Sequence, residues 1–149
     1  MSDEILSAEF ELGFTYTRSP GPVIGKFLAA LQQRRLYGIR GSDGRVLFPP
    51  TEYDPLTGAD LRDYAPVAEE GAVVAWTWVR TPRRHHLLRQ PFAWALVKLD
   101  GADTPFLHMV VSDSEADIHA GLRVSVRWAD ERRGAITDIA WFEPVRKEA

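Results

Sequence analysis

The segment "RTPRRHHLLR", residues 80–89, places Arg80, Arg83, Arg84, His85, His86 and Arg89 within ten positions of a chain whose net charge is −3. Taking its four arginine charges away leaves −7 on the rest, so the positive charge is concentrated here. Guanidinium forks match the paired oxygens of phosphate and carboxylate groups. Arg83, Arg84, His85, His86 and Arg89 are therefore the candidate contacts for phosphate groups or for an acidic protein surface. A solvated basic loop is the plain alternative. Single-stranded nucleic acid is the third reading. Trp76, Trp78, Phe92 and Trp94 lie nearby, but in apolar strand patterns that assign them to the core rather than to a stacking platform.

Groups that could carry catalysis are sparse. The chain has no cysteine, hence no thiol nucleophile, disulfide framework or thiolate metal site. It has no Gly-x-Ser-x-Gly elbow, glycine-rich phosphate loop or dinucleotide fingerprint. His85 and His86 are adjacent, and in a strand they would point to opposite faces. His108 sits in the apolar run "PFLHMVV" (105–111) and is expected as a packed, hydrogen-bonded core residue. "DSEADIH" (113–119) alternates acidic groups but lacks the glycine and terminal glutamate of a calcium loop. It reads as a solvated connection.

The elements that must position these groups follow from periodicity. Phe10, Leu12, Phe14 and Tyr16 alternate with polar residues or glycine, which predicts a short strand or extended arm with one apolar face. That face exceeds what an arm needs for itself, so part of it is expected to meet another chain. After "SPGP" (19–22), Val23, Ile24, Phe27, Leu28 and Leu31 mark one face of a helix over 22–35. Pro22 suits its first turn, and Arg34 and Arg35 are placed to complement the dipole at its end. "LYGIRGSDGRVLFPP" (36–50) predicts a hairpin around Asp43-Gly44, with Tyr37 and Ile39 facing Val46 and Phe48. Pro49-Pro50 ends its second strand by removing two donors, and "DPLTG" (54–58) forms another turn in which Asp54 accepts local N–H groups.

From Gly71 onward the pattern is strand after strand: 71–79, 92–100, 105–111, 122–128 and 135–145, all rich in β-branched and aromatic residues. Five strands at this spacing suit a small closed antiparallel barrel, because closure removes the exposed edges. The expected fold is mainly β. An N-terminal arm and helix (1–35) precede a hairpin module (36–68) and a five-stranded OB-fold barrel (69–149).

The hairpin module has the outline of a two-knuckle zinc ribbon, carried by Gly44, Phe48, Pro49, Pro50, Pro55 and Gly58. With the "WALVKLDG" segment (94–101) and the closing "WFEP" (141–144), residues 22–146 resemble the DUF35 OB-fold proteins. The resemblance implies a helical segment, a rubredoxin-like zinc ribbon and an OB-fold. The four ligand positions fall on Arg40, Asp43, Asp54 and Thr57, allowing a one-residue shift in the first knuckle. Arginine cannot ligate, and Asp, Asp and Thr are a poor zinc set. A hard-ion site on Asp43 and Asp54 is the alternative to a degenerate, metal-free ribbon. The metal-free reading is preferred, with turn chemistry and packing of Tyr37, Phe48 and Tyr53 replacing the ion.

The resemblance further implies a non-catalytic partner of a thiolase-like enzyme subunit in a hetero-oligomer, with acyl-CoA as a ligand and lipid or steroid side-chain intermediates as substrates of the complex. No zinc or other cofactor is expected. A free-standing OB-fold for single-stranded nucleic acid is the rival, opposed by net acidity. A small hydrolase or isomerase using His108 or the His85-His86 pair is the third reading. The acidic start shows no basic stretch followed by an apolar core, so no signal peptide is expected. Apolar runs fall short of a membrane span, and the expected location is the cytoplasm.

Overall fold

The computed structural model describes residues 5–146. The first four and last three residues, parts of the expected arm and barrel segments, lie outside the described residues. Helix α1 spans Pro22–Gln32 and buries Val23, Phe27, Ala30 and Leu31 along one face. Its N-terminal donors are satisfied from afar: the Glu52 carboxylate accepts the Val23 N–H at 3.0 Å and the Ile24 N–H at 2.9 Å. A Cβ at position 21 would collide with that carboxylate, so Gly21 permits the close approach. The helix stops three residues earlier than expected. Arg34 turns left-handed at φ 56°, and the Arg35 N–H returns to the Ala30 carbonyl at 2.9 Å. Arg34 and Arg35 thus lie past the last turn instead of within it.

Three strands form a small antiparallel sheet in the order β2-β1-β3: β1 (Leu36–Arg40), β2 (Val46–Leu47) and β3 (Tyr64–Val67). The hairpin register differs by one residue from that expected: Ile39 pairs with Leu47 and Arg40 with Val46. The turn explains it. Ser42, Asp43 and Gly44 make a three-residue loop, closed by Gly41 N–H to the Arg45 carbonyl (2.9 Å) with Gly44 at φ 81°. An odd loop shifts every partner by one. β3 is absent from the strands read in the sequence, because Pro66 lies inside it and proline demotes a run as a strand. It pairs with β1 from Leu36↔Val67 to Ile39↔Tyr64.

β4 (Glu70–Val79), β5 (Phe92–Leu99), β6 (Phe106–Val110), β7 (Arg123–Trp128) and β8 (Ile139–Pro144) close a barrel in the order β4-β5-β6-β8-β7. β6 and β8 run parallel and the other neighbours antiparallel. Along β5, Ala93, Ala95, Val97 and Leu99 line the interior as the period of two requires. Gly71 is needed where β4 crosses β5, since a Cβ there would overlap the Lys98 and Leu99 backbone.

One apolar core runs through helix, small sheet and barrel, from Phe27 and Leu31 through Phe48 to Val97, Phe106 and Phe142. Phe48 joins the parts. Its ring meets Phe27 edge-on at 5.6 Å and Phe106 at 5.2 Å. Its N–H donates to the Thr104 hydroxyl at 2.8 Å, and that hydroxyl donates back to the Phe48 carbonyl at 3.1 Å. Val46 exchanges a similar pair of bonds with Asp103. The free side of β2 is thereby stitched to the β5–β6 connection. Tyr53, expected among the packing residues, is 62% exposed instead. Of the two readings for 10–16, short strand or extended arm, no strand forms, and the apolar side chains are exposed. Its period of two is a property of the side chains alone, and no neighbouring edge pairs its backbone. No helix among the described residues is long and apolar enough to cross a membrane.

Candidate functional site

The cationic segment closes the longest hairpin of the barrel. β4 and β5 pair from Gly71↔Leu99 to Val79↔Phe92, with a bulge between Val73 and Ala75. Only Glu70–Ala72 also pair with β7, so the outer part of β4 pairs with β5 alone, while β5 stays paired with β6 from Ala93 to Val97. This geometry overturns the assignment of Trp76 to the core, while Trp78 packs against the core as a partly buried side chain. Trp76 is 37% exposed and Trp78 and Trp94 are half-buried; Phe92 alone of the four is fully covered.

The five residues singled out by sequence divide into two sets. His86 and Arg89 build the loop. The Arg83 N–H donates to His86 Nδ1 at 3.1 Å, while the His86 N–H donates to the Arg83 carbonyl at 3.0 Å. The His86 ring rests edge-on against buried Phe92, with centroids 5.5 Å apart. Arg89 reaches across to the Arg84 carbonyl at 3.0 Å. Arg83, Arg84 and His85 are left on the outside. All three are exposed, and neither guanidinium has an ion-pair partner among the described residues. The two histidine rings do not face opposite ways: the chain turns here, and they meet edge-on at 4.7 Å. Arg80 is tied to Glu115 at 3.1 Å and is not free for a ligand.

At the base of the loop, Trp78, Arg80, Gln90 and Pro91 face Val111, Ser112 and Asp113 across an open groove of about 450 Å³. A second groove of about 620 Å³ shares the wall of Val111–Asp113 and is lined further by Asp117, His119, Glu143 and Arg146. Both are within the size range of small-molecule sites. The segment 113–119 that forms part of the second wall folds around Ser114 and Asp117. The Asp117 carboxylate accepts both the N–H and the hydroxyl of Ser114 at 3.0 Å.

His108 points into the barrel between Phe106 (5.2 Å) and Phe142 (5.6 Å). It is buried as expected, and its Nδ1 has no hydrogen-bond partner. Burial among aromatic rings pushes its pKa down to about 4. It is a neutral core side chain without contact to a nucleophile or an open groove.

In the small sheet, the ribbon's ligand positions are held by protein groups. The Asp54 carboxylate accepts the Ser42 N–H at 2.6 Å, across from the first turn, and the Leu56 N–H at 2.7 Å within its own. Thr57 N–H adds a longer bond at 3.3 Å. Asp43 accepts the Arg45 N–H at 3.0 Å, and Arg40 donates to the Gly44 carbonyl at 2.9 Å. One carboxylate thus bridges the two turns that an ion would join. Sequence reasoning finds the local half of this arrangement from the Asp-Pro turn, and misses Ser42. No group of three metal-ligating side chains occurs among the described residues.

A helix, a three-stranded sheet and a five-stranded closed barrel with one parallel pair define an OB-fold protein with an N-terminal ribbon-like module. Residues 64–129 match the family model described as the ChsH2 C-terminal OB-fold domain. Among solved structures it is similar to a chain of the Ltp2-ChsH2(DUF35) aldolase, at 22% identity and a TM-score of 0.63, covering 86% of this chain and 98% of that one. It is also similar to a DUF35-family protein of unknown function from Sulfolobus solfataricus, at 20% identity and a TM-score of 0.56, covering 71% and 78%. At these identities the likeness is one of fold. No curated protein matches the sequence.

Proposed function

We propose that this chain is a non-catalytic accessory subunit. It docks on a thiolase-fold enzyme that acts on acyl-CoA thioesters, such as those of lipid or steroid side chains. The observation that carries the reading is the likeness, over nearly the whole of both chains, to the DUF35 component of an aldolase assembly. The chemistry of the chain supports it: its buried histidine is neutral, and His85 and His86 sit beside arginines rather than beside a nucleophile. Arg83, Arg84 and His85 supply the contact, either to an acidic face of the enzyme or to the phosphates of the acyl-CoA. His86 and Arg89 hold the loop in shape for them.

Co-purification from native cell extract tests the proposal. The expected result is stoichiometric co-elution of a thiolase-fold enzyme whose acyl-CoA activity requires this chain, with no activity in the chain alone. Turnover of an acyl-CoA by the isolated chain, or recovery of only single-stranded nucleic acid, overturns it.

A further inference from the structure

Residues 5–18 have the side-chain alternation of a strand but no strand structure and no pairing partner. Ile5, Leu6, Phe10, Leu12, Phe14 and Tyr16 are 70–89% exposed, and a Cβ at Gly13 would meet nothing within 4 Å. No hydrogen bond joins this segment to the rest of the described residues. Its side chains nevertheless alternate, apolar on one face with Glu9 and Glu11 on the other.

The barrel, conversely, has an edge without a strand. Val73 still exchanges hydrogen bonds with Leu122 (2.9 Å) and Gly121 (2.7 Å), but beyond the bulge at Val74, Ala75–Val79 pair with β5 alone. Val74 (49%) and Trp76 (37%) are exposed along that stretch. The edge runs directly into the loop that carries Arg83 and Arg84.

Arm and edge complement each other in three ways. Unpaired backbone groups on one match unpaired groups on the other. The apolar face of the arm matches Val74 and Trp76. Glu9 and Glu11 match the unpaired arginines. The single chain leaves both unfilled. We propose that the arm of one copy adds as a strand to the outer edge of β4 in a second copy, giving a reciprocal two-fold dimer.

The test compares three samples by light scattering and binding: the full chain, a deletion of residues 1–17, and a synthetic peptide of residues 5–19. The deletion removes no described contact to the barrel, so it should melt as the full chain does. The full chain is expected to be a concentration-dependent dimer and the deletion a monomer that binds the peptide. Arg83→Glu with Arg84→Glu in the deletion should weaken peptide binding by roughly tenfold at low salt, less at high salt. Replacing Phe10, Leu12 and Phe14 by Ser in the full chain should give a monomer, should the deletion fold poorly. A monomeric full chain, or a deletion that still dimerises, overturns the proposal. A monomeric full chain whose deletion binds the peptide would place the arm on its own β4 instead, and overturns it equally. None of these outcomes depends on co-elution with an enzyme, so this inference and the accessory-subunit reading fail separately.

Discussion

The Asp54 carboxylate accepts the Ser42 backbone N–H at 2.6 Å, twelve residues away and on the opposite turn of the small sheet. The same carboxylate holds Leu56 at 2.7 Å, so one side chain spans the two turns. A zinc ion in a ribbon joins its knuckles through four protein ligands; here the join is made by a charged acceptor and backbone donors, which form stronger hydrogen bonds than neutral pairs.

Asp54→Asn should therefore loosen the small sheet while leaving the barrel closed. Amide exchange at Ser42 and Leu56 is expected to quicken by roughly tenfold, the worth of one ordinary hydrogen bond. Those donors hold the Asp54 pKa below its usual 3.8, with Ser42 the largest contributor. A depressed carboxylate stabilises the fold fully above that usual value and loses its contribution as pH falls through the lower folded value. Protection at Ser42 should accordingly persist down to pH 3.8 and be lost only as pH falls through the lower folded value. Equal protection in the Asn variant at neutral pH would show that the carboxylate is not the clasp.

Metal should be irrelevant to the same module. Elemental analysis after dialysis is expected to find no stoichiometric zinc, and a chelator should leave the melting temperature unchanged. One tightly held equivalent of zinc, or a large fall in melting temperature with chelator, contradicts a join made by protein groups.

His108 predicts a second acid effect with a different window. Its folded pKa of about 4 lies below the usual 6.5 because burial disfavours the charged ring. The unfolded chain therefore takes up a proton first. Stability contributed by the neutral ring is complete above pH 6.5 and declines as pH falls from there to about 4. The decline amounts to roughly 3 kcal/mol. His108→Leu removes both the titration and the unpartnered Nδ1. The variant should be as stable as the parent at pH 7 and show a flatter pH profile between 6.5 and 4. A steeper profile, or a loss of several kcal/mol at pH 7, would assign the ring a partner.

Arg83→Ala with Arg84→Ala should weaken partner or acyl-CoA binding without lowering the melting temperature, since neither side chain is paired. Each lost charged hydrogen bond is worth roughly 1.5–3 kcal/mol where binding removes water and under 1 kcal/mol where it does not. Arg89→Ala is the contrasting case: it breaks the bond to the Arg84 carbonyl and should disturb the loop itself. Titration against acyl-CoA, partner and single-stranded DNA at two salt concentrations separates the readings. Submicromolar DNA binding at physiological salt would favour a nucleic-acid role.

The sequence by itself determined the elements whose cause is local. Pro22 and the apolar face from Val23 to Leu31 made the start and buried side of α1 legible, and the alternation in 122–128 did the same for β7. Pro49-Pro50 ended β2, and the concentration of arginine in 80–89 marked the candidate site. Tertiary structure decided what depends on distant partners. The three-residue turn fixed a register that the strand residues alone left open by one position. β3 exists because β1 offers it an edge, despite Pro66. Trp76 is exposed because β4 leaves β7 at the bulge, an event invisible in a run of apolar residues. Only folding sorted the loop into His86 and Arg89, which bind the loop's own groups and Phe92, and Arg83, Arg84 and His85, which face outward. Hydrogen bonds between residues far apart in the chain leave no periodic trace, and so Ser42 and Glu52 acquired their roles only when the turns came together.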